Sequence, residues 1–250
     1  MLLKFQRPGS PPQGDATSTA ANAPSSPEQI TQALRAGMCP PDSAFDYHLD
    51  DGVRPLASQH WTPLAVAMRA AQWFDECDIR TVVDIGSGAG KFCVAAALSG
   101  HCHFTGIEHR AHLVTSAWAV ARTFKVQDRV YFMHGALGQL RMPAADAYYF
   151  YNPFEENVMG PGDRIDAEVE LSAERHARDL EAVHSLLMAA RSGTYVLTYN
   201  GIGATLPLTY VRVRVDRELP NVLCLWRKLQ RAGTRRAHSP TSPGAGAGAA

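Results

Sequence analysis

The fold of this chain is decided by residues 81–90, which read TVVDIGSGAG. The β-branched and apolar residues at the start of this segment suit a buried strand. Gly86, Gly88 and Gly90 follow at alternate positions, and residues 91–98 then read as a helix. Because glycine lacks a Cβ, the backbone can turn sharply there and a ligand can lie against it, while the helix directs free N–H groups at that ligand. This order predicts the opening unit of a nucleotide-binding α/β domain.

The spacing of the glycines distinguishes between two classes of nucleotide ligand. Dinucleotide-binding turns read G-x-G-x-x-G, whereas this turn reads G-x-G-x-G, with Asp84 two residues before its first glycine. The segment resembles motif I of the class I S-adenosylmethionine (SAM) methyltransferases. The resemblance implies SAM as the cofactor. It also implies cofactor contacts from Asp84, Gly86, Ser87, Gly88 and Gly90.

A second acidic residue ends the next predicted strand, residues 103–108. Glu108 lies 24 residues after Asp84, near the spacing of about 20 that brings an acid to a ribose. Its carboxylate could accept both ribose hydroxyls, or it could be a solvated strand end. His109 is expected beside the adenine edge. In many methyltransferases the turn after the third strand carries an acid for the adenine amino group, and here that position is Ala136.

The end of the fourth predicted strand, residues 145–151, carries the candidate acceptor site. Asn152-Pro153-Phe154 resembles the Asn-Pro-Pro-Tyr motif of amino-group methyltransferases, although the second proline is missing. In that family the Asn side chain and a backbone carbonyl accept hydrogen bonds from the target N–H groups. Residues 60–200 resemble more closely bacterial proteins related to the Dot1-like lysine methyltransferases. These resemblances imply catalytic roles for Tyr151, Asn152 and Phe154, with Asn152 also beside the cofactor.

Several neighbouring positions leave alternatives open. Glu155 could take a proton through water, or it could be an exposed loop carboxylate. Tyr199 and Asn200, at the end of the fifth predicted strand, could also face the acceptor. Residues 60–62 could face the cofactor, or Trp61 could simply pack on the sheet.

The remaining pattern predicts one α/β domain. We expect a Rossmann-like seven-stranded sheet, mostly parallel with an antiparallel edge strand, and helices on both faces. The domain is predicted over residues 26–231 and includes N-terminal helices. Residues 1–25 and the Gly/Ala tail 232–250 are predicted to be disordered because they offer little to bury. A long helix is expected from after Gly162 to about Arg191, and residues 37–59 are expected to be a loop.

Composition narrows the classes of partner. The 250 residues carry 24 basic and 24 acidic side chains, so no broad attraction to nucleic acid or anionic membrane is expected. No apolar run approaches the roughly 20 residues that span a bilayer. The five cysteines include no C-x-x-C pair, which favours reduced thiols, a cytoplasmic protein and no metal site.

The sequence therefore predicts an enzyme, a SAM-dependent methyltransferase acting on nitrogen of a protein side chain or a small molecule. The acceptor itself is not identified by the sequence. The alternative is a module of the same fold that holds SAM or a partner without turnover. A nicotinamide oxidoreductase is a third hypothesis, which the glycine spacing disfavours.

Overall fold

The computed structural model of the chain describes residues 25–230. Seven strands and seven α-helices make up the domain. The strands are β1 (Thr81–Ile85), β2 (His103–Glu108), β3 (Val130–His134), β4 (Ala147–Tyr151), β5 (Tyr195–Tyr199), β6 (Tyr210–Asp216) and β7 (Leu223–Lys228). The helices are α1 (Pro27–Arg35), α2 (Asp42–Asp46), α3 (Ala57–His60), α4 (Leu64–Glu76), α5 (Lys91–Ser99), α6 (Ala111–Thr123) and α7 (Ala173–Ala189).

All seven strands form one sheet in the order β3-β2-β1-β4-β5-β7-β6. Strands β1 to β5 are parallel, and β7 pairs antiparallel with both β5 and β6. This confirms the predicted Rossmann-like α/β architecture. In register, Asp84 of β1 lies between Gly106 of β2 and Tyr149 of β4. The chain segments that follow these three strands therefore meet at one edge of the sheet.

The two faces of the sheet are covered differently. Helices α1, α4, α5 and α6 contribute to one large apolar core, and α7 packs on the opposite face. Helix α5 lies at the centre of the first core, and each of its residues from 91 to 98 is buried. A helix that is enclosed on all sides has no need of a polar stripe, which explains the unbroken apolar run after Lys91.

Two predicted boundaries and one predicted loop were wrong. Helix α7 begins at Ala173, because the Ser172 hydroxyl accepts a hydrogen bond from the Arg175 N–H at 3.0 Å and caps the helix. Strand β4 begins at Ala147, because Asp146 instead accepts hydrogen bonds from the backbone N–H groups of residues 80 and 81. The predicted loop 37–59 contains α2, the start of α3 and a short 3-10 turn.

Two further expectations concern the ends of the chain and membranes. Apart from residue 25, the segments predicted to be disordered, 1–25 and 232–250, lie outside the described residues. Within residues 25–230, no helix combines the length and apolar character needed to cross a membrane.

Candidate functional site

The glycine turn between β1 and α5 has the left-handed backbone that its sequence predicts. The φ angles of Gly86, Gly88 and Gly90 are +77°, +53° and +77°, a region that side chains with a Cβ rarely adopt. A Cβ at Gly86 would lie 2.8 Å from the Cβ of Pro153, and one at Gly88 would overlap the Trp61 ring. The turn is therefore packed closely against two segments that the sequence associated with the site.

Trp61 covers the turn from the N-terminal side. Its indole is buried against Gly88, and its Nε1 has no hydrogen-bond partner among the described residues. The adjacent Thr62 hydroxyl shares a 2.9 Å hydrogen bond with the Tyr149 hydroxyl, which fixes this segment to β4. Residues 61 and 62 thus adjoin the glycine turn, and Trp61 packs on it; that residues 60–62 face a cofactor stays a prediction.

Asp84 lies beneath the turn, with only 3 % of its surface exposed. The Cys93 thiol donates to its carboxylate across 3.4 Å. Burial raises the pKa of Asp84 to about 7, while the Cys93 hydrogen bond opposes this shift. Ser87 in the turn is also buried, and its hydroxyl has no partner among the described residues.

A cavity of about 20 Å³ adjoins these groups, enough for roughly one water molecule. Its lining includes Asp84, Ser87, Trp61, Lys91 and Tyr151. Two of these five carry the unpartnered buried polar atoms. Buried polar groups are almost always satisfied, so this pair indicates a place where a polar ligand could complete the hydrogen bonding.

Lys91 also lines this cavity, although the sequence pattern did not predict it as a candidate site residue. Its side chain is 3 % exposed, and its Nζ lies 2.7 Å from carboxylate oxygens of both Asp42 and Asp46. Asp42 also accepts a hydrogen bond from the Leu64 N–H at 2.9 Å. These contacts fasten α2 to the start of α5 and to the start of α4. A single lysine opening an otherwise apolar helix was the available signal.

Glu108 ends β2 beside the glycine turn and is buried. Its carboxylate accepts hydrogen bonds from the Gly88 N–H at 3.0 Å and the Arg110 N–H at 2.9 Å. Burial raises its pKa, and those hydrogen bonds and the Arg110 charge oppose the shift. Each carboxylate oxygen offers about two acceptor positions, so capacity remains for further donors. Glu108 is therefore not a solvated strand end, and its role in binding the ribose stays a prediction.

His109 and Arg110 connect the end of β2 to the segment after β4. The buried Arg110 guanidinium lies 2.7 Å from Glu156 and 2.9 Å from Asp166. It also lies 3.0 Å from His109 Nε2. A guanidinium can only donate, so His109 Nε2 accepts and the imidazole is neutral. Burial, aided by the Arg110 charge, lowers the pKa of His109 to about 4.

The candidate acceptor residues meet at the ends of β4 and β5. The Tyr151 and Tyr199 rings are 4.9 Å apart between centroids. Asn152 has a left-handed backbone, with φ +42°, and its side-chain amide donates a hydrogen bond to the Glu155 carboxylate. Phe154 is buried and packs in the core on the α7 face of the sheet. Its backbone, rather than its ring, supplies the polar contact, since its carbonyl accepts from His176 at 3.0 Å.

The structure also locates three further positions that the sequence singled out, Asn200, Ala136 and Glu155. Asn200 mirrors Asn152, with φ +58° at the end of β5, and the Asn152 N–H donates to the Gly201 carbonyl at 3.3 Å. Ala136 is buried after β3, so this position offers no acidic side chain. Glu155 is half-buried rather than exposed, which corrects the second of its two interpretations.

A group of three potential metal ligands lies where the start of α6 meets the segment after β4. His112, Asp166 and Glu168 place ligand atoms within 4.8 Å of one another. His112 and Glu168 are exposed, and Asp166 already pairs with Arg110. We therefore assign no ion to this group.

No family model and no curated protein matches the sequence. Many solved structures are similar in fold. A putative O-methyltransferase from Klebsiella pneumoniae is 16 % identical, with 80 % of this chain and 96 % of that chain covered and a TM-score of 0.51. The O-methyltransferase from Bacillus cereus, crystallised with SAH, is 10 % identical, with 80 % and 97 % covered and a TM-score of 0.50.

A third similar structure is an RNA methyltransferase from Salinibacter ruber in complex with S-adenosyl-L-homocysteine (SAH). It is 21 % identical and covers 68 % of this chain and 94 % of that chain, with a TM-score of 0.48. The similarity to the two O-methyltransferases, at 16 % and 10 % identity, establishes the fold alone, which is that of class I methyltransferases. These similar structures do not support the finer resemblance to Dot1-like lysine methyltransferases.

Proposed function

We propose that this chain is a SAM-dependent methyltransferase. The observation that carries the proposal is the glycine turn itself, where the buried Ser87 hydroxyl and Trp61 Nε1 have no hydrogen-bond partner among residues 25–230. The fold comparison supports it, since the similar O-methyltransferase from Bacillus cereus was crystallised with SAH. SAM supplies a methyl group on a positively charged sulfur, which a nucleophile can displace.

The residues around the turn fit this cofactor. Glu108 would accept the ribose hydroxyls with its remaining lone pairs. Asp84 would face the charged amino acid end, since it lies in the same cavity as Ser87. His109 would lie beside the adenine with its neutral ring. Because the cavity holds about 20 Å³, cofactor binding would require the Trp61 side to move outward.

We assign the acceptor atom to nitrogen on the strength of Asn152. Its amide nitrogen donates to Glu155, which leaves its Oδ1 to accept a hydrogen bond from a target N–H. Tyr151 and Phe154 would complete the wall of the acceptor site. Displacement at a methyl carbon needs little acid–base chemistry, so positioning by these residues would supply much of the rate. The acceptor would be a protein side chain or a small molecule.

A non-catalytic module that binds SAM is the second candidate. Ala136 favours it, because the adenine amino group would lack the acidic partner that many methyltransferases supply at this position. The missing second proline after Asn152 favours it as well. Both departures concern how firmly ligands are placed rather than whether SAM can bind.

Calorimetric titration separates these hypotheses from nicotinamide chemistry. We expect SAM to bind and NADH not to bind; binding of NADH alone would refute both the enzyme and the module.

A labelled-methyl assay on cell extract then separates enzyme from module. Asn152→Ala should retain SAM binding and reduce transfer by about 100-fold or more, the scale of a lost positioning contact. Gln127→Ala, which removes an exposed amide before β3, is the control and should behave as the unmodified protein. Unchanged transfer by Asn152→Ala would remove Asn152 from the mechanism.

A further inference from the structure

Glu155 is a half-buried carboxylate without a cationic partner among the described residues. Its one side-chain hydrogen bond is with the Asn152 amide. The next residue, Glu156, is by contrast neutralised by Arg110 at 2.7 Å and also accepts the Ile165 N–H at 2.8 Å. Glu156 is therefore neutralised by an ion pair within the protein, whereas Glu155 has no opposite charge beside it among the described residues.

The position of Glu155 links it to the glycine turn. Pro153, two residues earlier, packs directly against Gly86. Tyr151 lines the cavity beside Asp84, and the negative charge of Glu155 acts on the Tyr151 hydroxyl. The Tyr199 ring is itself buried and packs at 48° against the Tyr151 ring, so Tyr151 is the ring of this pair that adjoins the cavity.

These groups have a common chemical preference. A charge that is partly removed from water is costly unless an opposite charge meets it. The face of a tyrosine ring also attracts cations, and the partly exposed Tyr151 ring offers one here. An acceptor that arrives with a positive charge would satisfy both, whereas a hydroxyl or a neutral ring nitrogen would leave the carboxylate uncompensated.

We infer that Glu155 selects a methyl acceptor that arrives as an alkylammonium ion and takes the proton that this ion must lose. The inference rests on the proposed methyl transfer and narrows its substrate class to aliphatic amines. Asn152 then orients the neutral amine, so that Glu155 and Asn152 act in sequence on one nitrogen.

The proposed reaction transfers one proton and one methyl group. The ammonium group gives one proton to the Glu155 carboxylate and becomes a neutral amine. The amine nitrogen forms a bond to the methyl carbon while the bond from that carbon to sulfur breaks, and sulfur keeps the electron pair. The product is a methylated ammonium ion, and Glu155 returns its proton to water. Burial raises the pKa of Glu155, opposed by the Asn152 hydrogen bond, which favours proton uptake.

The first test varies the charge of the acceptor. A cell extract is divided, and the amino groups of one half are acetylated with N-hydroxysuccinimide acetate, which turns each ammonium into a neutral amide. Both halves are incubated with the protein and methyl-labelled SAM. We expect transfer in the untreated half and its loss, by at least about 10-fold, after acetylation. Transfer that survives acetylation would overturn the inference, because hydroxyl, guanidinium and nucleobase acceptors are left unmodified.

The second test varies Glu155. Glu155→Gln keeps an oxygen that can accept from Asn152 and removes the charge, so transfer should fall about 100-fold or more. Glu181→Gln, on the exposed side of α7, is the matched control and should retain full transfer.

SAH calorimetry on the same proteins distinguishes failure of the Glu155 role from failure of the proposed function. SAH should bind both variants within about twofold of the unmodified protein. Full transfer by Glu155→Gln overturns the role of Glu155 alone. Bound SAH with no transfer in any sample contradicts the proton-accepting role together with enzymatic function, whereas failure of SAH to bind the unmodified protein refutes the proposed function.

Discussion

Asp84 shows at the scale of one residue how the site is held. It is buried, its one side-chain hydrogen bond comes from the Cys93 thiol, and the neighbouring Glu108 charge disfavours its ionisation. A carboxyl group in such surroundings binds a proton more tightly than it does in the unfolded chain. The stability of the protein must therefore depend on pH through this residue.

The sign of that dependence follows from the direction of the shift. The pKa of Asp84 is about 7 in the folded protein, against 3.8 as its ordinary value. Between these values the folded state holds more protons, so stability contributed by Asp84 is lost as pH rises from about 4 to 7, by up to about 1.4 kcal/mol per pH unit.

Asp84→Asn should remove this part of the pH dependence. Urea unfolding at pH 5 and pH 8 checks it. The free energy of unfolding of the variant minus that of the unmodified protein should be larger at pH 8 than at pH 5, which means that the variant is relatively more stable at pH 8. Equal differences at the two pH values would contradict the shifted pKa.

At the scale of elements, the junction of α2 with α5 depends on one buried cation. Helix α2 has only five residues and cannot be stable alone. The ion pairs of Lys91 with Asp42 and Asp46, and the hydrogen bond of Asp42 to the start of α4, hold it in place. Breaking a buried ion pair on one side leaves the other charges uncompensated.

Lys91→Met should therefore detach α2 and destabilise the fold. We expect a loss of about 2 kcal/mol or more, less than the roughly 3–5 kcal/mol of a fully buried pair because Asp42 is half exposed. Hydrogen exchange should accelerate in residues 42–49.

Lys125→Met provides the control, because its ion pair with Glu28 is exposed on both sides. That variant should stay within about 0.5 kcal/mol of the unmodified protein. If both variants lose the same stability, Lys91 has no special role in holding α2.

Secondary structure was predictable where apolar spacing or glycine positions marked it. The strand, glycine turn and helix of residues 81–99 were confirmed because β-branched runs and positive-φ glycines depend on near neighbours. The start of α7 was missed because its limit is set by the Ser172 cap rather than by apolar spacing. Helix α2 was missed for a different reason: its ion pair to Lys91 spans more than 40 residues of sequence.

At the scale of the whole molecule, the candidate site depends on the entire sheet. The ends of β1, β2, β4 and β5 each contribute, and α2 and α4 secure the segment that covers the turn. A ligand that binds only this assembled site should stabilise the folded state against global unfolding.

SAH should therefore raise the free energy of unfolding. At a concentration of about 100 times its Kd, the expected gain is about 2.7 kcal/mol, and NADH at the same concentration should give none. Urea unfolding with and without each compound measures this. An equal gain from NADH, or none from SAH above its measured Kd, would contradict the assignment of the cradle to SAM.

The sequence by itself determined the α/β class, the glycine turn, and the positions of Asp84, Glu108 and Asn152 at strand ends. These follow from local backbone preferences and from the rule that parallel strands bring their carboxyl ends to one edge. Only the tertiary structure placed Trp61 on Gly88, paired Lys91 with α2, and left Glu155 without a cation among the described residues while Arg110 neutralises Glu156. Such outcomes depend on which distant segments pack together, and charge compensation in a folded protein is decided by that packing rather than by neighbours in sequence.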